Sequence, residues 1–433
     1  MHLAPAMGRP RPRRGPRLAP ALTMAAALCV LAPGALALQP LGTFVDAAAR
    51  FHPDNREAAA QAASREAAVA QTRGRLLPSV SARAGYTWNQ REVAPDFGGS
   101  RLLITPRHGL DALFQLDIPL VDVSGWQQVA AAKASAEAAQ ALRAGTRLAV
   151  DEAVARAWYQ VVAAEAVRSV AETNLQVAGE LLAVANQRFE HDAAPELEVR
   201  RAEANVARAQ QSLAEARLAA TLAGRRLQSL TGVVPEPVAS FPTDDLHAEP
   251  PLDHFLAQVP RSPRLRSAAA REEAARHDAT AHELLFVPTV AAQAAERLTN
   301  ATGFIDESSY ATVGVALTWR FDFSHLAARD VAAAGVDAAQ AGTTRARLSV
   351  QDDIFEAWHR VGAAIERSRA ARVEALAATD AAAMAALRYH EGAGTQLDVV
   401  TAQRDQFAAE VGRVQADTEL GFAREYLRLA TTF

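Results

Sequence analysis

The residues that come closest to a catalytic motif are His282 and Glu283, which begin like the metal-binding helix of a zinc protease. That helix needs a second histidine four residues after the first, so that both imidazoles bind zinc while the glutamate activates water. Phe286 occupies this position. His277 and His282 are five residues apart and share a helix face poorly. The other histidines are scattered, so we expect no metal site.

Other catalytic and cofactor-binding patterns are also missing from the sequence. It has no phosphate-binding loop, no nucleophile elbow and no paired Cys-x-x-Cys. The formal net charge of −4 becomes −9 when the five arginines of residues 1–37 are removed, and a negative charge argues against a nucleic-acid partner. We therefore expect a protein that is not an enzyme, holds no cofactor and binds no nucleic acid.

A polar segment near the C-terminus predicts the end of one helix and the start of the next. Gly392 or Gly394 can adopt the left-handed conformation that ends a helix. Thr395 is a good N-cap, and Asp398, three residues later, completes a capping box before a run of apolar positions. The segment therefore predicts a tight turn between two helices.

This segment belongs to a longer pattern that occurs twice, with an offset of about 200 residues. The matching positions include Val150 and Val350, Trp158 and Trp358, Val161 and Val361, Arg188 and Arg388, Leu197 and Leu397, and Val199 and Val399. In the first copy, Asp192 replaces Gly392 and Pro195 replaces Thr395. Aspartate tolerates a left-handed turn and proline suits a first helical turn, so a second tight turn is expected. We interpret residues 38–240 and 241–433 as two structural repeats.

Long helices are predicted in both repeats. In the first, apolar residues recur in steps of three and four from Val150 to Ala185 and, after Leu197, from Val199 to Leu230, which is a heptad pattern. No proline occurs between Gly125 and Phe189. A single helix over that run would be roughly 95 Å long. The abundant alanines favour close packing of such helices in a bundle.

Two β-hairpins separate these helices, at about residues 79–120 and 289–321. Apolar and polar side chains alternate along the strands, which gives each hairpin one apolar and one polar face. Hairpins packed on their own helices fit this pattern, and so do strands of a membrane barrel with an apolar outside. A closed barrel needs at least about eight strands, so four strands per chain predict oligomerisation. Two copies would give eight strands and three would give twelve.

The first 37 residues have the layout of a secretory signal. They contain five arginines and no acidic residue, and an apolar stretch then ends in Ala35-Leu36-Ala37. We expect cleavage near Ala37. Cys29, the single cysteine, lies inside the signal, and Leu28 before it argues against a lipid anchor. Export, together with the position of each hairpin between long helices, favours the membrane-barrel interpretation.

Together these features resemble the TolC family of outer-membrane efflux and secretion ducts. The resemblance is carried by the signal peptide, the duplicated halves, Leu-Leu-Pro-Ser-Val at residues 76–80, His52-Pro53, and the segment at residues 388–403. It implies an α+β membrane protein in which four strands per chain contribute to a twelve-stranded trimeric β-barrel in the outer membrane. It also implies that the long helices form an α-barrel across the periplasm.

The resemblance further implies a periplasmic gate. Tyr389 matches the tyrosine of the family, Asp398 matches its first acidic residue, and Glu198 holds the place of an acidic partner, while Gly394 replaces the family's arginine and Thr401 its second acid. Three copies of Asp398 would attract cations, and hydrogen bonds between Tyr389 and Glu198 could hold neighbouring helices together. The alternative is that the two acids only cap helices and the tyrosine only packs.

The two turns are expected to dock a partner protein through Asp192, Pro195, Gly392, Gly394 and Thr395. The implied function is a passive outer-membrane exit duct for efflux. It would be a homotrimer in contact with outer-membrane lipid, and it would work with a periplasmic adaptor and an inner-membrane pump. Two alternatives stay open: a similar duct for type I protein secretion, and a periplasmic coiled-coil scaffold without a pore. A duct touches its cargo only transiently, so drugs, metal ions and polypeptides all fit the sequence.

Overall fold

The computed structural model describes residues 39–236, 243–305 and 307–432. Within these ranges the chain forms eight α-helices and six β-strands. The helices are α1 (Leu41–Phe51), α2 (Pro53–Gly74), α3 (Val123–Glu190), α4 (Glu196–Thr231), α5 (Leu252–Leu256), α6 (Pro263–Glu283), α7 (Phe323–His390) and α8 (Gln396–Thr431). The strands are β1 (Ser79–Trp88), β2 (Asp96–Phe97), β3 (Ser100–Arg101), β4 (His108–Val121), β5 (Thr289–Thr299) and β6 (Ser309–Thr318). The expected signal peptide and Cys29 lie outside the described residues.

The four longest helices repeat each other in length. Both α3 and α7 have 68 residues, and both α4 and α8 have 36. At the usual rise per residue, α3 and α7 are each about 100 Å long, as the absence of proline predicted for α3. An aspartate begins each of them: Asp122 Oδ1 accepts a hydrogen bond from the Gly125 N–H (2.8 Å), and Asp322 Oδ1 accepts one from the Ser324 N–H (2.9 Å). None of the described helices is both long enough and apolar enough to cross a membrane.

The helices pack through narrow seams of alanine, valine and leucine. Helix α3 packs on both α4 and α8, and α8 packs on α7, so the four helices form a row with α4 and α7 at its ends. The buried part of the seam on α4 consists of Val199, Ala202, Ala209, Leu213, Ala216, Ala220 and Leu227. Leu197, expected to start this seam, is exposed, because it lies in the first turn of α4 at the free end of the hairpin.

The two repeated tryptophans hold the chain segments that lead into short helices. Trp158 Nε1–H donates to the carbonyl oxygen of Gln39 (3.1 Å), just before α1. Trp358 Nε1–H donates to the carbonyl oxygen of Pro250 (2.8 Å), just before α5. Each indole thus packs against the helices with its polar N–H satisfied.

Strands β1, β4, β5 and β6 form one antiparallel sheet, in that order. The pairing of β4 with β5 joins the two predicted hairpins, so β1 and β6 are the edges of the sheet. Strand β6 ends at Thr318, before the predicted limit of residue 321. The register would place Trp319 opposite Pro288, which has no N–H to continue the ladder. Beyond the strand, Trp319 Nε1–H donates to the carbonyl oxygen of Phe286 (3.1 Å) and the Phe321 ring packs against the Phe286 ring.

The sheet has one apolar and one polar face. Residues paired across strands share a face, so Val80 lies beside Leu116 on the apolar side. This side is open: Val80 is 78% exposed and Val313 is 85% exposed. On the polar side, Arg297 Nε–H donates to Asp111 Oδ1 (2.6 Å). Hairpins packed on their own helices would bury the apolar side, whereas the outside of a barrel leaves it free for lipid.

Candidate functional site at the helical tips

Two tight turns connect the long helices at the ends that lie far from the sheet. We call residues 191–195, between α3 and α4, tip turn 1, and residues 391–395, between α7 and α8, tip turn 2. Asp192 (φ 54°) and Gly392 (φ 74°) adopt the left-handed conformation at matching positions of the repeat. The structure therefore has the two predicted turns, and of the two candidate glycines it is Gly392 that takes the left-handed position.

Gly394 contributes in a different way, by providing room. A Cβ atom at this position would lie 3.2 Å from Arg388 Cβ and 3.2 Å from the Tyr389 backbone nitrogen. A larger residue would therefore push tip turn 2 away from the end of α7.

The two turns differ at the residue that begins the following helix. The Thr395 hydroxyl accepts a hydrogen bond from the Asp398 N–H (3.3 Å), and Asp398 Oδ2 accepts bonds from the Thr395 N–H (3.0 Å) and hydroxyl (2.8 Å). These bonds complete the predicted capping box, and they hold the pKa of Asp398 below its usual range. Pro195 is the N-cap of α4, one residue before the helical turn in which it was expected, and it makes no side-chain cap.

Tyr389 joins the two halves of the chain at the tips. Its side chain is buried, and its hydroxyl donates to Glu198 Oε2 (2.8 Å). The Arg188 guanidinium lies over its ring, with Cζ 4.5 Å from the ring centroid, and Nη1–H donates to the Tyr389 carbonyl oxygen (3.2 Å). Burial, and then the bond to Glu198, raise the pKa of Tyr389, so the phenol stays protonated and acts as a donor to a carboxylate.

Gln396 makes a second connection to Glu198. It is buried in the first turn of α8, and its Nε2–H donates to the backbone carbonyl oxygen of Glu198. Arg188, Glu198, Tyr389 and Gln396 therefore form one group, which we call the tip cluster. The backbone of Glu198 is held by Gln396, while its carboxylate is held by Tyr389.

Two of these four residues, Tyr389 and Glu198, were expected from the sequence, together with the hydrogen bond that joins them. The signal for Arg188 was its repetition as Arg388, which marks a required position but not its partner. Gln396 gave no such signal, because Glu196 stands at the matching position of the first repeat. Asp398, the third residue of the expected gate, is exposed within one chain and is bonded to Thr395, as the predicted capping box requires.

A second polar group lies elsewhere, in the segment before α5. Asp244, Asp245 and His247 place their ligand-type atoms within 4.8 Å of one another. Arg424 already supplies positive charge there: its Nε lies 2.8 Å from Asp244 Oδ2 and its Nη1 lies 2.8 Å from His247 Nε2. The hydrogen bond from His247 lowers the pKa of Asp245. This group serves to hold the segment against α8.

Solved structures with the same architecture are outer-membrane channels. The outer-membrane channel OprN matches with a TM-score of 0.75 at 22% identity, over 90% of this chain and 89% of that one. The Campylobacter jejuni CmeC outer membrane channel matches at 0.78 and 15% identity, over 91% and 86%. The open state of the Neisseria gonorrhoeae MtrE outer membrane channel matches at 0.73 and 20% identity, over 91% and 90%. The fold is therefore that of an outer-membrane channel.

A comparison of the sequence with protein families leads to the same class of protein. A family model described as outer membrane efflux protein matches residues 45–233 and 259–432. The chain belongs to the outer membrane efflux protein family and is an outer-membrane efflux duct. Among curated protein sequences, none matches the chain. Membership confirms the family resemblance that was drawn from the duplicated halves and from residues 388–403.

Proposed function

We propose that this chain is the passive exit duct of a tripartite efflux system, working with a periplasmic adaptor and an inner-membrane pump. One observation carries the proposal: a sheet with an open apolar face leads directly into helices about 100 Å long. Such a sheet suits contact with lipid, and such helices suit a wall that crosses the periplasm. A wall conducts cargo without chemistry, which makes transport through the duct passive.

The open sheet supports a homotrimer. Strands β1 and β6 are edges, and an unpaired edge in lipid costs several kcal/mol per backbone group. In a ring of three chains, each β6 would pair with the β1 of the next chain and close twelve strands. Leucines and valines on the end helices of the row would be covered between protomers; these include Leu218, Leu222, Val373 and Leu376, which are exposed in one chain.

The tip cluster, together with Asp398, is our proposal for the periplasmic gate. Tyr389 and Glu198 tie tip turn 2 to tip turn 1 by a hydrogen bond to a carboxylate. In a trimer, three such bonds would oppose separation of the hairpins. Three exposed Asp398 side chains at one opening would favour entry of cations.

The two tip turns are our proposal for the docking end of the adaptor. The residues concerned are Asp192, Pro195, Gly392, Gly394 and Thr395. Replacing Gly392 by valine should disfavour the left-handed turn by roughly 1 kcal/mol or more. Export should then fall while the trimer stays intact. Unchanged export, with cysteine crosslinks to the adaptor forming elsewhere on the chain, would contradict this assignment.

Expression in cells that lack their own duct tests the proposed function as a whole. With the cognate pump and adaptor present, the chain should restore efflux of a pump substrate. It should be found in the outer-membrane fraction as a heat-dissociable trimer whose mature sequence starts near Leu38. A monodisperse monomer in detergent that retains its full strand content would refute the trimeric duct.

A further inference from the structure

Glu198 and Asp398 occupy the same position of the repeat but have different partners. Each is the third residue of the helix that follows a tip turn. The Asp398 carboxylate accepts both donors of its own N-cap residue, Thr395. The Glu198 carboxylate instead reaches across to the Tyr389 hydroxyl. One carboxylate therefore closes its own helix, and the other connects the two repeats.

The N-cap residue accounts for this difference. A capping box forms when the N-cap residue offers a backbone N–H and a hydroxyl to the carboxylate three positions later. Thr395 has both groups, whereas proline has neither. The backbone is otherwise alike, with φ −72° and ψ 153° at Pro195 against φ −99° and ψ 155° at Thr395. A threonine at position 195 would thus hold the same two donors within reach of Glu198.

We propose that Pro195 is a positioning residue, which keeps the Glu198 carboxylate available to Tyr389 by denying it a local cap. The other contacts of the tip cluster do not involve the Glu198 carboxylate, so they do not determine whether it binds Tyr389 or a local cap. Gln396 holds the backbone of Glu198, and Arg188 holds the ring and the backbone of Tyr389. This inference rests on the proposed gate, and it adds that the identity of residue 195 sets the strength of the gate.

The decisive variant is Pro195→Thr. Its ratio of open to closed purified trimers is measured in planar bilayers and compared with that of the parent. A new cap would compete for Glu198 in the closed state and would also stabilise the freed carboxylate in the open state. With the cap and the tyrosine bond of similar strength, the ratio should rise roughly fivefold per protomer. Pro251→Thr is the matched control. Pro251 is the N-cap residue of α5, far from the tips, and like Pro195 it makes no side-chain cap. Its replacement should leave the ratio unchanged.

A double-mutant cycle with Tyr389→Phe separates positioning from a general loosening of the turn. Once the hydroxyl is gone, Pro195→Thr should have no further effect on the ratio, because the carboxylate no longer has two partners to choose between. Equal effects of Pro195→Thr in both backgrounds would overturn the inference, as would no effect in the parent. If Tyr389→Phe itself leaves the ratio unchanged, the proposed gate fails, which is a different result from failure of the role of Pro195.

Discussion

Removal of the Tyr389 hydroxyl should destabilise the closed duct and leave the rest of the tip in place. In Tyr389→Phe the ring is kept, so its contact with the Arg188 guanidinium and its packing against Leu181 and Val399 remain. The variant therefore isolates one hydrogen bond, from the phenol to Glu198.

The magnitude follows from the geometry of that bond. A hydrogen bond to a charged group contributes about 1.5–3 kcal/mol. The lower value applies here, because Glu198 is half-buried and water can replace the lost donor. Three copies acting together would then contribute about 4.5 kcal/mol, which is roughly a two-thousandfold change in the ratio of open to closed trimers.

Single-channel recording in planar bilayers measures this ratio directly. Tyr389→Phe should show more frequent or longer openings than the parent, and adding Glu198→Gln should change little further, since the bond is already lost. Tyr426→Phe, on α8 and far from the tips, is the control for loss of a phenol as such. If the parent, the control and Tyr389→Phe conduct alike, the tip cluster only packs and caps, and the gate lies elsewhere.

Three further outcomes are expected. Asp398→Asn should mainly reduce cation preference, seen as a shift in reversal potential, because it thins the ring of charge; an unchanged potential would leave Asp398 with a capping role alone. By NMR, the pKa of the Asp398 carboxyl should lie below its usual value of 3.8, since Thr395 stabilises the charged form. The capping box is then complete above pH 3.8 and is lost as the pH falls through the lowered pKa of Asp398. Thr395→Val should raise this pKa. Gly421→Ala should lower the free energy of unfolding, measured by thermal denaturation, by about 1–3 kcal/mol, because a Cβ would lie 2.6 Å from Tyr159 Cε1. A smaller residue at position 159 should restore part of the loss.

The long helices, the tip turns and the strands of the two hairpins could be predicted from the sequence because each depends on nearby residues. An absence of proline predicted the length of α3. Asp192, and either Gly392 or Gly394, predicted the left-handed turns, since a turn needs only a tolerated φ. Alternation with period two predicted the two faces of the strands, because successive side chains in a strand point to opposite sides. The internal repeat then predicted that the long helices occur twice, as α3 and α7 do.

The partners of Arg188 and Gln396 were decided only by tertiary structure, whereas the bond between Tyr389 and Glu198 had been expected from the family resemblance. Arg188 and Tyr389 are 201 residues apart, and Glu198 and Gln396 are 198 apart, so no local pattern could pair them. The repeat alone would give Glu198 and Asp398 one role, and only the family resemblance had expected a tyrosine as the partner of Glu198. They differ because a carboxylate binds the donors that come within reach: the chain offers Asp398 its own N-cap, whereas the packing of α7 against the first hairpin brings a phenol to Glu198.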